Sequence, residues 1–314
     1  MSIIYIGEKD NKLFNQQIPS TMNKLMEEDE KVVWLDSDLS GCSGVRGKLK
    51  NSSRFINVGI AEANMIGIAA GMSSNGLKPY CHSFGPFASR RCFDQVFLSS
   101  GYANNPITVI GTDPGITATF NGGTHMPFED TALYRLIPNS IVCDCSDVSM
   151  LNAFLTQAKD MPGVKYIRTP RKEAIKIYSN DHEFIIGRGN VVREGQDCVI
   201  IASGIMVEKA LNAAKELLEH DIDCAVIDPY TIKPLDKDLI IEYAKKCKRI
   251  LVAENHNKIG GLCSAVQDAI CGMELKYSYV AVEDEFGEVG PLDYLEERFK
   301  LTHKHIIEKV KILM

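Results

Sequence analysis

Short runs of β-branched and aliphatic residues alternate with stretches whose apolar positions recur every three or four residues, and the alternation holds for almost the whole chain. Unbroken apolar runs suit strands buried on both faces, and the 3.6-residue period suits helices lying over them. The pattern therefore implies an α/β fold of mainly parallel sheets flanked by helices. In the first half it predicts strands over 32–36, 55–58, 79–83, 107–111, 141–145 and 164–168, and helices over 13–28, 61–75, 86–100, 129–136 and 148–159. The rhythm fails between 169 and 196, a charged stretch containing Pro170 that reads as a linker followed by a Gly-bearing hairpin in GRGNVVREGQD. A boundary near residue 185 follows. Beyond it come strands at 198–203, 224–228 and 250–254, and helices at 207–220, after Pro234 and after Gly260. The expected division is a first domain over 1–175, a linker over 176–190 and a smaller second domain over 191–314.

Composition narrows the function. The chain has 314 residues, 45% hydrophobic and 24% charged, which is a globular rather than a disordered balance. Lys and Arg number 35 against 41 Asp and Glu, and no dense basic stripe is present, so nucleic-acid binding is not expected. The ten cysteines are scattered through apolar stretches and read as buried thiols of a reducing compartment. Cys143 and Cys145 share one face of a predicted strand, but no second Cys or His pair lies near them to complete a metal site. The start, MSIIYIGEKDNK, has too short an apolar run for a signal peptide or a membrane span, and a cytoplasmic location is expected.

Ligands of parallel α/β sheets bind at the carboxyl ends of the strands, and four loops there are unusual. The first is Asp36-Ser37-Asp38-Leu39-Ser40-Gly41, which by itself reads as a capped turn. In the second, a strand passes through Gly59 straight into a helix with Glu62 in its first turn, where a carboxylate ordinarily complements the helix dipole. In the third, Phe84 and Phe87 flank a Gly-Pro corner ahead of Arg90 and Arg91, well placed to offer a ring to a planar ligand. The fourth, 112–128 (TDPGITATFNGGTHMPF), is long and glycine-rich and carries His125; loops of that length in compact folds are functional or mobile.

As a set, these segments resemble the pyrimidine-binding domain of the transketolase family of thiamine diphosphate enzymes. The resemblance rests on G-I-A-E (Gly59 to Glu62), the F-x-x-F pair with R-R-x-F-D-Q (Arg90 to Gln95), and G-G-T-H-x-P (Gly122 to Pro127). The later Y-I-R-T-P-R (Tyr166 to Arg171) and E-N-H-x-x-x-G-G (Glu254 to Gly261) resemble that family's linker and C-terminal domain. The resemblance implies that Glu62 meets N1′ of the aminopyrimidine and drives the imino tautomer, a role in which desolvation must outweigh the helix dipole. It implies that Phe87 stacks on the pyrimidine, with Phe84, Arg90 and Asp38 as further cofactor contacts and Asp38 at a subunit junction. His125 falls near the reacting carbons. Asn121 stands where the family usually has an Asp against a sugar hydroxyl. Arg168 or Arg171 is the expected ligand of the substrate phosphate, with Asn23 and Thr112 at positions where Arg and His are common.

The G-D-G signature of the family's diphosphate-binding domain does not occur in the sequence. The resemblance is thus to the C-terminal subunit of a split transketolase, in which an N-terminal subunit brings the diphosphate site and its Mg²⁺ or other divalent cation. Such an enzyme would move a two-carbon ketol unit from a ketose phosphate to an aldose phosphate, in a two-fold heterotetramer. A 1-deoxyxylulose-5-phosphate synthase-like subunit, a 2-oxo acid dehydrogenase β-like subunit and a non-catalytic regulatory subunit of the same fold are the alternatives.

Overall fold

A computed structural model describes residues 3–49 and 53–314. The first part of the chain runs α1 (Phe14–Glu28), β1 (Val32–Asp36), β2 (Phe55–Asn57), α2 (Glu62–Ser74), β3 (Lys78–Phe84), the short helices α3 (Gly85–Ala88) and α4 (Phe93–Gln95), β4 (Ile107–Thr112), α5 (Asp130–Leu136), β5 (Ile141–Asp144), α6 (Val148–Ala158) and β6 (Val164–Thr169). The second part runs β7 (Asn190–Arg193), β8 (Cys198–Ala202), α7 (Met206–Leu218), β9 (Cys224–Asp228), β10 (Thr231–Lys233), α8 (Lys237–Cys247), β11 (Arg249–Asn257), α9 (Leu262–Ala269), β12 (Lys276–Val282), α10 (Leu292–Arg298) and α11 (His303–Leu313). Among the described residues no helix is long and apolar enough to cross a membrane.

Two sheets result, one in the order β10-β5-β6-β4-β3-β1-β2 and one in the order β12-β11-β8-β9-β7. Among the described residues, the strand pairings within these two sheets are parallel except those of β10 with β5 and β7 with β9. Central strands are apolar on both sides because helices cover both faces. In β1, Val32 and Trp34 pack into one hydrophobic layer while Val33 and Leu35 pack into the other, and β8 divides Ile200 from Val199 and Ile201 in the same way.

Three expectations are corrected. The hairpin after the linker does not form: Asn190–Arg193 pairs antiparallel with β9, which sits between β7 and β8. The helix over 86–100 is broken. Ser89 Oγ donates to the Gly85 carbonyl (2.6 Å) and the Tyr134 hydroxyl donates to the Ala88 carbonyl (2.6 Å), so side chains take the acceptors at this turn. The chain crosses the break in a 3₁₀ turn (Arg90–Cys92) and continues through α4 into a π-helical turn (Val96–Tyr102). Third, the seven-stranded sheet is completed by β10, from the second half of the chain, which seams the two parts together. Lys233 Nζ fastens it by donating to the carbonyls of Arg135 (2.7 Å) and Ile137 (2.5 Å).

The cysteines are free thiols, most of them buried. Cys143 and Cys145 do share a face, with sulfurs 3.9 Å apart, and burial pushes both thiols up.

Candidate active site

The register of the first sheet lines up its carboxyl ends. Asp36 lies beside His82, Phe84 beside Thr112, and Thr112 beside Thr169, so the loops leaving β1, β3, β4 and β6 open on one edge. At Gly59 the chain takes φ +75° to turn from β2 into α2, a conformation that L side chains resist. That turn aims the first residue of the helix, Glu62, back under the sheet edge.

Glu62 is 1% exposed. Ser83 Oγ donates to its Oε1 (3.0 Å), and Arg91 Nη1 donates to Oε1 (3.1 Å) and Oε2 (2.9 Å). The Arg91 guanidinium also lies 3.9 Å above the centre of the Phe87 ring, which joins carboxylate, cation and aromatic face in one stack. Phe84, Phe87 and His125 form a trio of rings in edge-to-face contact, with centroids 6.2 Å apart for the two phenylalanines and 5.6 and 5.1 Å from His125 to Phe84 and Phe87. The imidazole is aimed by its neighbour, since Thr124 Oγ1 lies 2.9 Å from His125 Nδ1. Gly85 allows the loop to close in, because a Cβ there would meet Pro127 Cγ at 2.6 Å.

Of the residues singled out in the sequence, Glu62, Phe84, Phe87, His125 and Arg171 come together. Arg171 sits 5.0 Å over the Phe84 ring and grips Asp113 through Nε (2.7 Å) and Nη2 (2.5 Å). Burial pushes the Asp113 carboxyl up while Arg171 pulls it down, and the first effect is the larger. Asp38 is exposed at the end of β1, with φ +62°. It exchanges hydrogen bonds with Asn57, whose Oδ1 also accepts from the Gly59 amide (2.9 Å), so this pair fixes the turn leading to Glu62. Asn121 is exposed at the loop tip, just before Gly122.

Two of the singled-out arginines are placed differently from Arg171. Arg168 is buried apart from the ring trio, its side chain only 1% exposed. Its Nε donates to Asp130 (2.9 Å), Nη1 to Asp144 (3.2 Å), and Nη2 to the carbonyls of Pro127 (3.2 Å) and Asn255 (2.7 Å). Burial works against that charge, but Asp130 and Asp144 outweigh it and hold the guanidinium above the ordinary arginine range. Arg90, half-exposed, pairs with Glu129 (2.6 Å), and after the break that follows α3 it is Arg91 that turns inward to Glu62. Thr112 is fully buried with its hydroxyl 3.2 Å from His82 Nε2, and Asn23 is half-buried in the middle of α1 rather than in any loop at the site.

Sequence reasoning passed over Ser83 and Asp113, and also a buried array beneath the site. His82 Nδ1 lies 2.9 Å from Asp36 Oδ2, Trp34 Nε1 donates to the same oxygen (3.4 Å), and the Trp34 and His82 rings stack 5.8 Å apart. A histidine between Cys81 and Ser83 in the strand KPYCHSF, well inside the sheet, was the available signal.

Models of the transketolase pyrimidine-binding domain and the transketolase C-terminal domain match residues 14–176 and 187–306. The chain belongs to the transketolase family. It is 44% identical over 285 residues to the 6-deoxy-6-sulfo-D-fructose transketolase subunit SqwH of Clostridium sp. strain MSTE9, an alignment that covers 90% of this chain and 88% of that one. A putative transketolase C-terminal section from Methanocaldococcus jannaschii is 34% identical, with 92% of each chain covered. Human transketolase is 35% identical over 79% of this chain but only 40% of its own length. Among solved structures, a split-gene transketolase described as an inactive β4 tetramer superposes with a TM-score of 0.88 at 34% identity, covering 97% of this chain and 98% of the other.

Proposed function

We propose that this chain is the C-terminal subunit of a split transketolase. With an N-terminal subunit that supplies the diphosphate and Mg²⁺ ligands, it moves a two-carbon ketol unit from a ketose phosphate to an aldose phosphate. The observation that carries the reading is the buried Glu62 carboxylate beside the Phe84, Phe87 and His125 rings, which is the donor set an aminopyrimidine needs: a carboxyl for its ring nitrogen and apolar faces for its plane. The set fits that half of thiamine diphosphate. The cation is assigned to the partner subunit together with the diphosphate that it would neutralise.

When bound, thiamine diphosphate supplies the nucleophilic carbon that carries the ketol unit. Glu62 would hold a proton at N1′ of the aminopyrimidine, Phe87 would support the ring, and His125 would stabilise or relay protons on the sugar hydroxyls. Arg171 would face the terminal anion of the donor, since a half-used guanidinium fork can still orient a phosphate. Similarity to a subunit named for 6-deoxy-6-sulfo-D-fructose favours a second reading of the donor, in which that terminal anion is a sulfonate.

The test is reconstitution. The chain is mixed with the N-terminal subunit, thiamine diphosphate and Mg²⁺, and given xylulose 5-phosphate, 6-deoxy-6-sulfofructose or free xylulose as donor with an aldose phosphate as acceptor. Transfer is expected only with both subunits present. In a parallel mixture given pyruvate as donor, consumption of that 2-oxo acid instead would select the synthase or dehydrogenase type, and no turnover with any donor would select the non-catalytic subunit. In the same assay Arg171→Ala is expected to raise KM for the anionic donors by roughly 10-fold to 100-fold, the value of one or two charge-assisted hydrogen bonds, and to leave free xylulose unchanged. Equal losses for all three donors would remove Arg171 from substrate recognition.

A further inference from the structure

The loop between β4 and α5 carries Asn121 and His125, yet much of what holds it comes from the second half of the chain. At its start, Asn255 of β11 reaches across and uses both ends of its amide. Nδ2 donates to the Pro114 carbonyl (2.9 Å), and Oδ1 accepts from the Ile116 amide (3.0 Å). Between them, Gly115 takes φ +50° and is packed so closely on Asn255 that a Cβ would overlap the side-chain amide. In the middle, Gly123 lies against the backbone of Gly287, and a Cβ on Gly122 would meet Val289 Cγ2 at 2.6 Å. At the end, the Asn257 amide donates to the Phe128 carbonyl (2.9 Å), while buried Arg168 ties the Pro127 carbonyl to that of Asn255. The loop is thus fastened at its beginning, middle and end to β11 and to the segment after β12.

We infer that Asn255 is a positioning residue for the active site: together with the Gly287 segment it sets the place of His125, so that the C-terminal domain completes the catalytic loop rather than merely following it. The physical reason lies in the loop itself. Three glycines and long irregular backbone leave it with many conformations, and a side-chain amide that satisfies one donor and one acceptor two residues apart selects one of them. Asn255 is itself 1% exposed and held at its carbonyl by Arg168, so the clamp is rigid on the side from which it acts. A small displacement is costly at such a site, because misplacement of a catalytic group by about 1 Å can lose about 100-fold in rate.

The inference rests on the transferase reading for its catalytic part, and two measurements keep the two apart. The first is amide hydrogen exchange on the full chain alone, which needs no activity. Asn255→Ala is expected to speed exchange at Ile116 and across 115–126 by about tenfold or more, with strands β1, β3 and β4 unchanged. Gly287→Ala places a methyl 2.7 Å from Met126 Sδ and 3.1 Å from Gly123 Cα, and is expected to loosen 122–126 while leaving Ile116 protected. Because residue 287 lies in a half-buried surface segment, this second variant folds even if the first does not. The second measurement is made on the reconstituted enzyme. Both variants are expected to lose about 10-fold to 100-fold in kcat/KM for the ketose while the cofactor Kd stays within about threefold, since Glu62 and Phe87 are held by the first sheet. Unchanged exchange in the loop of both variants overturns the clamp. A loosened loop with unchanged kcat/KM overturns its catalytic role, and cofactor affinity falling in step with rate would mark a general structural defect instead. An inactive wild-type complex would refute the transferase reading, and exchange alone would then decide the clamp.

Discussion

Glu62→Gln is expected to leave folding and assembly intact and to lower kcat of the reconstituted enzyme by roughly 10²-fold to 10⁴-fold, the usual contribution of a positioned acid or base. Glutamine has the same length, and its Oε1 can still accept from Ser83 and Arg91 as the carboxylate does. It cannot exchange a proton with a ring nitrogen. The loss should therefore fall on turnover, with a smaller change in cofactor affinity. Gel filtration and thermal unfolding of the variant separate this from misfolding, and steady-state turnover measures the effect. Near-normal kcat would leave Glu62 as a partner of the α2 N-terminus and of Arg91, with no part in the chemistry.

Arg168→Ala should act on stability instead. Removing the guanidinium leaves Asp130 and Asp144 buried without their cation and strips donors from the carbonyls of Pro127 and Asn255. Breaking a buried ion pair from one side costs about 3–5 kcal/mol. Burial already pushes the Asp144 carboxyl up against the pull of Arg168 and Ser203, so the stranded group can relieve part of the strain only by taking a proton. The expected result is a fall of roughly 5–10 °C in the midpoint of thermal unfolding, with any rise in KM shared by free and phosphorylated donors alike. A variant of normal stability with KM raised for phosphorylated donors alone would mark Arg168 as a substrate ligand.

These two residues mark what could and could not be read from the sequence. Glu62 was legible as a position, a carboxylate in the first turn of a helix that starts just past Gly59, but that local pattern by itself reads as a partner of the helix dipole, and only the set of motifs around it pointed to a cofactor. The strands of the first sheet were legible for a similar reason, since burial on both faces writes an apolar run. Arg168 and Arg171 stand three apart at the end of one strand and look alike in sequence. Which of them is buried depends on Asp130, Asp144 and Asn255, none of which is close in the chain, whereas Arg171 is taken by Asp113 beside the Phe84 ring. Which of Arg90 and Arg91 turns toward Glu62 was not legible, because a helix was expected to run through them and the hydroxyls of Ser89 and Tyr134 break it. β10 went unread because three residues next to a proline carry no periodicity; only β5 makes them a strand. Asn255 was visible as part of E-N-H, but its role appears only when the loop beginning at Asp113 is folded against it.

The most direct test of the central claim is calorimetric titration of thiamine diphosphate with Mg²⁺ into the chain alone and into its mixture with the N-terminal subunit. The charged diphosphate end of the cofactor carries much of its binding energy, and this chain is assigned only the pyrimidine end. The expected result is weak or undetectable binding to the chain alone and tight binding to the mixture, at one cofactor per pair of subunits. Tight binding to the chain alone would contradict the split-enzyme account.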